Sequence, residues 1–236
     1  MRGLFIKLCG LIIGVMISAG SIQAAEWPLD FTLSQSVQSS YIWRGFDLGN
    51  DGVNQGSGNI HWWELDANIW YNLDFDLGDV NEVDYTLTWT HVWPVWEDKI
   101  WTKLGYIFYD FPNTENAETQ EFMFSTGLSV LLNPTFTLYH DFDEGNGTYF
   151  LFGGSHAFPV NDWINLCIHS EIGINDELFI EDSGFAHWNI GASLPMAWQI
   201  FNGDLTVAPN VDASISLDDD NFDDEVWGGI TATMVW

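Results

Sequence analysis

The stretch WELDANIWYNLDFDL, residues 63–77, places Trp63, Leu65, Ala67, Ile69, Tyr71, Leu73, Phe75 and Leu77 at alternate positions. Glu64, Asp66, Asn68, Asn72, Asp74 and Asp76 fill the gaps, and only Trp70 breaks the polar series. Side chains on a strand point alternately to opposite faces, so this period of two predicts a β-strand with one apolar wall and one acidic wall. In water the apolar wall requires a second protein layer. In a bilayer it requires only lipid outside and water inside.

Both chain ends favour the bilayer. Residues 1–24 carry Arg2 and Lys7, a mostly apolar run and a small residue, Ala24, before Ala25. This order predicts a secretory signal peptide cut after Ala24, leaving residues 25–236 as a single domain. Cys9 would leave with the signal, so Cys167 would be the only remaining thiol and no internal disulfide could form. The other end, Val226 to Trp236, alternates again and stops on an aromatic residue. Such an ending is similar to the terminal strand by which bacterial outer-membrane barrels are recognised by the barrel-assembly machinery.

No run of eighteen apolar residues follows residue 24, so an ordinary helical span is excluded. Yet 14 tryptophans are present, recurring near predicted strand ends at Trp43, Trp63, Trp93, Trp163, Trp198, Trp227 and Trp236. Their amphipathic rings suit the two membrane interfaces. Period-two segments bounded by turn residues fall at 31–46, 60–75, 80–92, 99–109, 119–131, 134–143, 148–157, 163–174, 186–198, 204–216 and 226–236. Backbone groups in lipid must pair internally, so a chain of strands must close into an antiparallel barrel. Eleven segments would leave the chain ends on opposite sides, whereas single-chain bacterial barrels have even counts. We therefore expect an all-β closed transmembrane barrel of about twelve strands, with ten as the alternative. The missing strand should lie early: either Leu29 to Gly45 holds more than one element or residues 52–56 belong to a further strand. Tight connections are expected at 132–134, 158–161 and 201–203 on the periplasmic side, and long acidic loops at 141–147, 176–184 and 218–225 outside.

The formal charge of −29 excludes nucleic acid as a partner, because phosphate binding requires positive charge. Without Arg2 and Lys7 the only cations are Arg44, Lys99 and Lys103. Acidic residues repeat on predicted polar faces: Glu64 and Asp66, Asp84, Glu121, Glu171 and Asp212. If these line a lumen, it should favour cations. The competing reading assigns the acidity to solubility, to lipopolysaccharide bridged by divalent ions, or to a saline habitat.

Ser40-Tyr41-Ile42-Trp43-Arg44-Gly45 resembles the Tyr-x-aromatic-Arg-Gly signature that opens the TorF-type porins. Gly105-Tyr106-Ile107-Phe108-Tyr109-Asp110-Phe111-Pro112 and Thr119-Gln120-Glu121-Phe122 are similar to that family's aromatic strand, Pro-containing loop and acidic strand start. The chain departs from the family pattern between Gly45 and Ile60. The resemblance implies an outer-membrane barrel inferred to be a porin and supplies no substrate.

Individual residues leave several roles open. Arg44 is either a constriction residue or a strand-end cation anchoring a salt-bridge network. Lys99 and Lys103, four apart on one face, either compensate lumen acid or bind an anionic solute. His169-Ser170-Glu171 invites a hydrolase reading, but neighbouring strand residues alternate faces, so Ser170 points away from the other two. No catalytic set, metal site or cofactor is expected. His140, His156 and His187 lack ligand spacing. Asp141 to Gly147 has oxygen donors at alternate positions but Phe152 where an EF-hand requires Glu, and 218–225 is denser still, so loosely held divalent cations are an open possibility for both loops. The sum is a channel passing small cationic or neutral solutes, embedded in outer-membrane lipid and lipopolysaccharide. A structural or adhesive barrel with acidic loops is the main alternative, and a lipid-modifying enzyme a remote one.

Overall fold

The computed structural model describes residues 29–49 and 51–236; the predicted signal peptide lies outside them. The strands in chain order are β1 (Leu29–Gln38), β2 (Tyr41–Trp43), β3 (Phe46–Gly49), β4 (Val53–Trp62), β5 (Leu65–Asp74), β6 (Asp79–Trp93), β7 (Ile100–Asp110) and β8 (Thr119–Leu128). They continue with β9 (Thr135–Asp141), β10 (Thr148–Asn161), β11 (Ile164–Asp176), β12 (Ser183–Ser193), β13 (Met196–Ile200), β14 (Gly203–Ser216) and β15 (Glu225–Val235). All but β2 and β3 belong to one antiparallel sheet, closed on itself by the β1–β15 and β10–β11 pairings. Strands β12 and β13 are one stave broken at Leu194-Pro195, since both pair with β11 and β14. Pro195 has no N–H to give, yet its carbonyl still accepts from Asn165, and Leu194 still donates to Pro209. The wall therefore has twelve staves among the described residues, as expected.

The early miscount has a simple origin. Residues 60–75 contain the end of β4, a two-residue turn at Trp63-Glu64, and β5. Trp63 takes a φ of 57°, the left-handed region that tight hairpin turns use. The alternation at 63–77 thus begins in a turn, and only Leu65–Asp74 is strand. The other early element is the β2–β3 hairpin, which occupies part of the segment read as one strand over 31–46. A second correction concerns 158–161: these residues end β10, and the tight turn is Asp162-Trp163. Asn161 Oδ1 closes it by accepting the Trp163 and Ile164 N–H groups.

The outer wall is apolar, with Leu65, Ile69, Leu87, Leu104, Phe122, Phe152, Ile190 and Ile230 all exposed. Polar partners meet in rows on the other side, such as Asn68 opposite Thr86, Asp66 opposite Thr88, and Ser125 bonded to Thr137 at 2.8 Å. That inversion is what lipid outside and polar groups inside require. The apolar cluster is correspondingly found inside, at the end of the barrel that carries the long loops. There Tyr149, Leu178, Ala186 and Phe222 are buried, with Trp43, Phe46, Tyr139, Leu151 and Ile180 against them.

Candidate functional site

The β2–β3 hairpin leaves the loop end of β1 and returns to β4. Its contacts lie on opposite parts of the barrel wall, so it reaches across the interior. Tyr41 packs on Trp70 of β5 at 5.6 Å between centroids and donates to Glu82 of β6 at 3.3 Å. Trp70, the one exception in the polar face of β5, thus gives the hairpin an aromatic seat. At the hairpin tip, Arg44 and Gly45 have φ values of 52° and 89°, and a Cβ at Gly45 would lie 2.7 Å from His187 Nδ1. Any side chain there would collide with the far wall.

Arg44 makes a two-pronged bond to Glu121 of β8: Nη1 donates to Oε1 at 2.6 Å and Nη2 to Oε2 at 2.7 Å. Tyr109 of β7 donates to Oε2 as well, at 2.7 Å. The guanidinium lies 4.0 Å from the Tyr139 ring centroid, 4.3 Å from Trp43 and 5.3 Å from Tyr149. These side chains come from β7, β8, β9, β10 and the hairpin itself. Parallel bonds to a carboxylate and stacking on rings are the two interactions that distinguish Arg from Lys. Burial works against the charge on Arg44, but the neighbouring Tyr109 and Glu121 more than offset it, and the net shift is towards the protonated form. Burial, followed by the charges of Glu82 and Asp84, holds the Tyr41 phenol well above its usual range, so it remains a neutral donor.

The other residues singled out from sequence fall into three groups. Asp84 sits on the inner face of β6 opposite Tyr109, with Oδ1 buried and without a hydrogen-bond partner. It belongs with Arg44 and Glu121. Glu171 and Asp212 form a separate inner-face patch: Glu171 accepts from Asn189, while Asp212 pairs with His169 at 3.0 Å and accepts from Asn210 at 2.6 Å. The His169–Asp212 pair passes over Gly191, where a Cβ would overlap the Asp212 carboxylate and the His169 ring. Asp66 lies on the inner face of β5, bonded to His61 Nδ1 at 2.9 Å. Glu64 is a correction. It stands in the turn, accepts from Trp89 Nε1 at 2.9 Å and contacts His91 Nδ1 at 2.6 Å, both on the outer face of β6. Hydrogen bonds from His91 and Trp89 hold its carboxyl below the usual range.

Lys99 is also displaced from its expected strand: it lies in the turn before β7, paired with Glu97 at 2.8 Å. Lys103 is on the inner face of β7, level with Thr90 and Ser125. Ser170 accepts from Trp188 Nε1 on the outside of the wall, so the hydrolase set does not converge. The loop carboxylates are engaged as caps. Asp141 Oδ1 accepts the N–H groups of Asp143, Gly145 and Asn146, and Oδ2 takes the Thr119 hydroxyl. Asp218 and Asp224 serve likewise for Asp220, Asn221 and Ser216. Among the described residues no group of three or more His, Cys, Asp and Glu is placed to hold a metal ion.

Sequence reasoning gave no site role to Tyr41, Glu82, Tyr109, Tyr139, Tyr149 and His187. Strand parity carried the signal for most of them: Glu82 shares a face with Asp84, and Tyr109 and Tyr139 sit in the same cross-strand rows as inner-face residues of β8.

No family model matches the chain, and no curated protein matches its sequence. Its shape does match solved structures. An outer membrane channel from Pseudomonas putida F1 superposes with a TM-score of 0.55 at 10% identity, covering 92% of this chain and 98% of that one. The NanC porin superposes with a TM-score of 0.51 at 9% identity, covering 86% and 98%. At these identities the likeness concerns the fold: this chain has the closed antiparallel β-barrel architecture of bacterial outer-membrane channels and porins.

Proposed function

We propose that the protein is an outer-membrane channel through which small hydrophilic solutes diffuse, with a preference for cations. The observation that carries this reading is the β2–β3 hairpin folded into a polar lumen with its one cation spent. Arg44 is the sole basic side chain of the hairpin, and Glu121 neutralises it by direct pairing. Asp66, Glu171 and Asp212 then leave the inner faces acidic, against Lys103 alone among the lysines of the described residues. A charged wall bordered by low-dielectric protein concentrates counter-ions, which is the physical basis of cation preference. The aromatic–Arg–Gly tip, Trp43-Arg44-Gly45, is also the segment that resembles the TorF-type porins, and here it narrows the passage.

In this reading a signal peptide takes the chain across the inner membrane, and the strand ending at Trp236 presents it to the barrel-assembly machinery. The outer wall then meets lipid and lipopolysaccharide, with the acidic loops outside. The test is reconstitution of the purified protein in planar bilayers under a salt gradient. Stepwise conductance with a cation-directed reversal potential is expected, and Asp66→Asn with Glu171→Gln should move that potential towards zero. Anion preference, or a reversal potential indifferent to both changes, would refute the selectivity assignment. Silence at matched protein density would refute the channel. It would favour a structural barrel, a reading that the buried cluster of Tyr149, Leu178 and Phe222 at the loop end would then explain.

A further inference from the structure

A cavity of about 430 Å³ opens at the loop end between the hairpin and the β6–β8 wall. Its sides are the aromatic rings of Tyr41, Trp43, Phe46, Tyr109, Phe111 and Phe179. Among the described residues the only charged ones lining it are Glu82 and Glu144, and both are acidic. Glu82 is 5% exposed and holds one long bond from Tyr41, whereas Glu144 is exposed at the mouth. Asp84 stands two residues further along the same inner face, with a buried oxygen that lacks a partner. The nearest cation, Arg44, is fully engaged by Glu121. Aromatic rings present negative faces to a cation and apolar surface to a methyl group, and a volume of this order suits a small organic molecule.

We infer that this cavity is a recognition site for small organic cations of the quaternary-ammonium class. The rings take the methylated head, and the buried Glu82 carboxyl supplies the counter-charge, its ionised form favoured by the cation that enters. Each element has a separate purpose. Inorganic ions would gain little from six rings, because their favourable contacts are oxygen atoms or water. An anionic solute would meet two carboxylates and no free donor of positive charge. The inference gives the proposed cation-preferring channel a substrate class and rests on that reading for its transport meaning. Binding itself requires only the cavity, so the two ideas fail separately.

The experiment is calorimetric titration of the full-length protein in detergent micelles with choline, with its neutral isostere 3,3-dimethylbutan-1-ol, and with glucose. Saturable choline binding is expected, with the isostere at least tenfold weaker and glucose without effect. Glu82→Gln should weaken choline at least fivefold, and Phe111→Leu, at the cavity rim, at least twofold. Heat-modifiable migration of each variant on gels checks that the barrel has folded, and the comparison of the three ligands on unaltered protein stands even if a variant does not fold. Choline that fails to saturate, an isostere that binds equally, or glucose that binds in preference overturns the inference. Choline binding by a protein that conducts no current would overturn the channel and leave the site standing.

Discussion

Replacing Glu121 by Gln should release the tip of the β2–β3 hairpin from the opposite wall. In the native arrangement both guanidinium prongs meet carboxylate oxygens at 2.6 and 2.7 Å, and the two side chains are 9% and 0% exposed. Gln offers one acceptor and turns a donating NH2 towards the other prong. Removing one member of a buried ion pair costs about 3–5 kcal/mol, mostly because the surviving charge keeps its desolvation without its counter-charge. The rings of Trp43 and Tyr139 still flank Arg44 in the variant, so the lower end of that range applies. At about 1.4 kcal/mol per factor of ten, a loss of about 3 kcal/mol raises the undocked population roughly a hundredfold. Hydrogen–deuterium exchange of peptides spanning 39–49 should therefore accelerate by about that factor, with strands such as β10 and β11 unaffected. The double change Arg44→Met with Glu121→Met removes both charges and should recover most of the protection, since a packed apolar pair can replace a buried salt bridge at little cost. Exchange within threefold of the native rate in Glu121→Gln, or a double variant as fast as the single, would refute the argument.

Three further outcomes are expected. Gly191→Ala places a methyl group against the Asp212 carboxylate and the His169 ring, and should cost about 1–3 kcal/mol of stability in urea titrations; a neutral effect would show that the pair can step aside. Asp141→Ala strips three backbone N–H groups and the Thr119 hydroxyl of their acceptor, at about 1 kcal/mol or more for each bond lost, so limited proteolysis should cut within 142–147 in the variant and spare the native loop. The carboxyl of Glu64 is held below its ordinary range, so its contribution to stability is complete above that range and fades as pH falls through the lowered folded value. Glu64→Gln should flatten this acid limb in thermal unfolding followed by Trp fluorescence, and an unchanged limb would assign it to other carboxylates.

The barrel was legible because its two walls face different solvents, and a period of two records that directly in Leu65, Ile69, Asp66 and Asn68. The strand β4 was hard to read for a physical reason. Its outer series runs Asn54, Gly56, Gly58, Ile60, with little apolar bulk until the last residue. Tyr71 from β5 lies across Gly56, and Leu33 of β1 reaches Gly58, so neighbours supply the surface that β4 omits. The two-residue turn at Trp63-Glu64 was invisible because alternation of an apolar and an acidic residue looks the same in a hairpin turn as in a strand. Alternation alone therefore sets Glu64 on the inner face, whereas the turn carries it to Trp89 and His91 outside. The Arg44 site was only half legible: a lone cation among carboxylates predicts a partner, but nothing near Arg44 in sequence identifies Glu121, 77 positions away. That partner is set by barrel closure, a property of all the staves together.

The same separation bears on how the molecule comes together. The hairpin follows the first stave, yet its tip meets β8, β9, β10 and β12, so its seat does not exist until most of the sheet has been laid down. Strand β1 pairs with β15 at the seam. Docking of Arg44 therefore requires a wall curled into nearly its final form, and a barrel closed in the wrong register would leave a buried guanidinium and a buried carboxylate apart. The cross-brace ties the seam to the far wall, and its formation reports that assembly has reached the correct geometry.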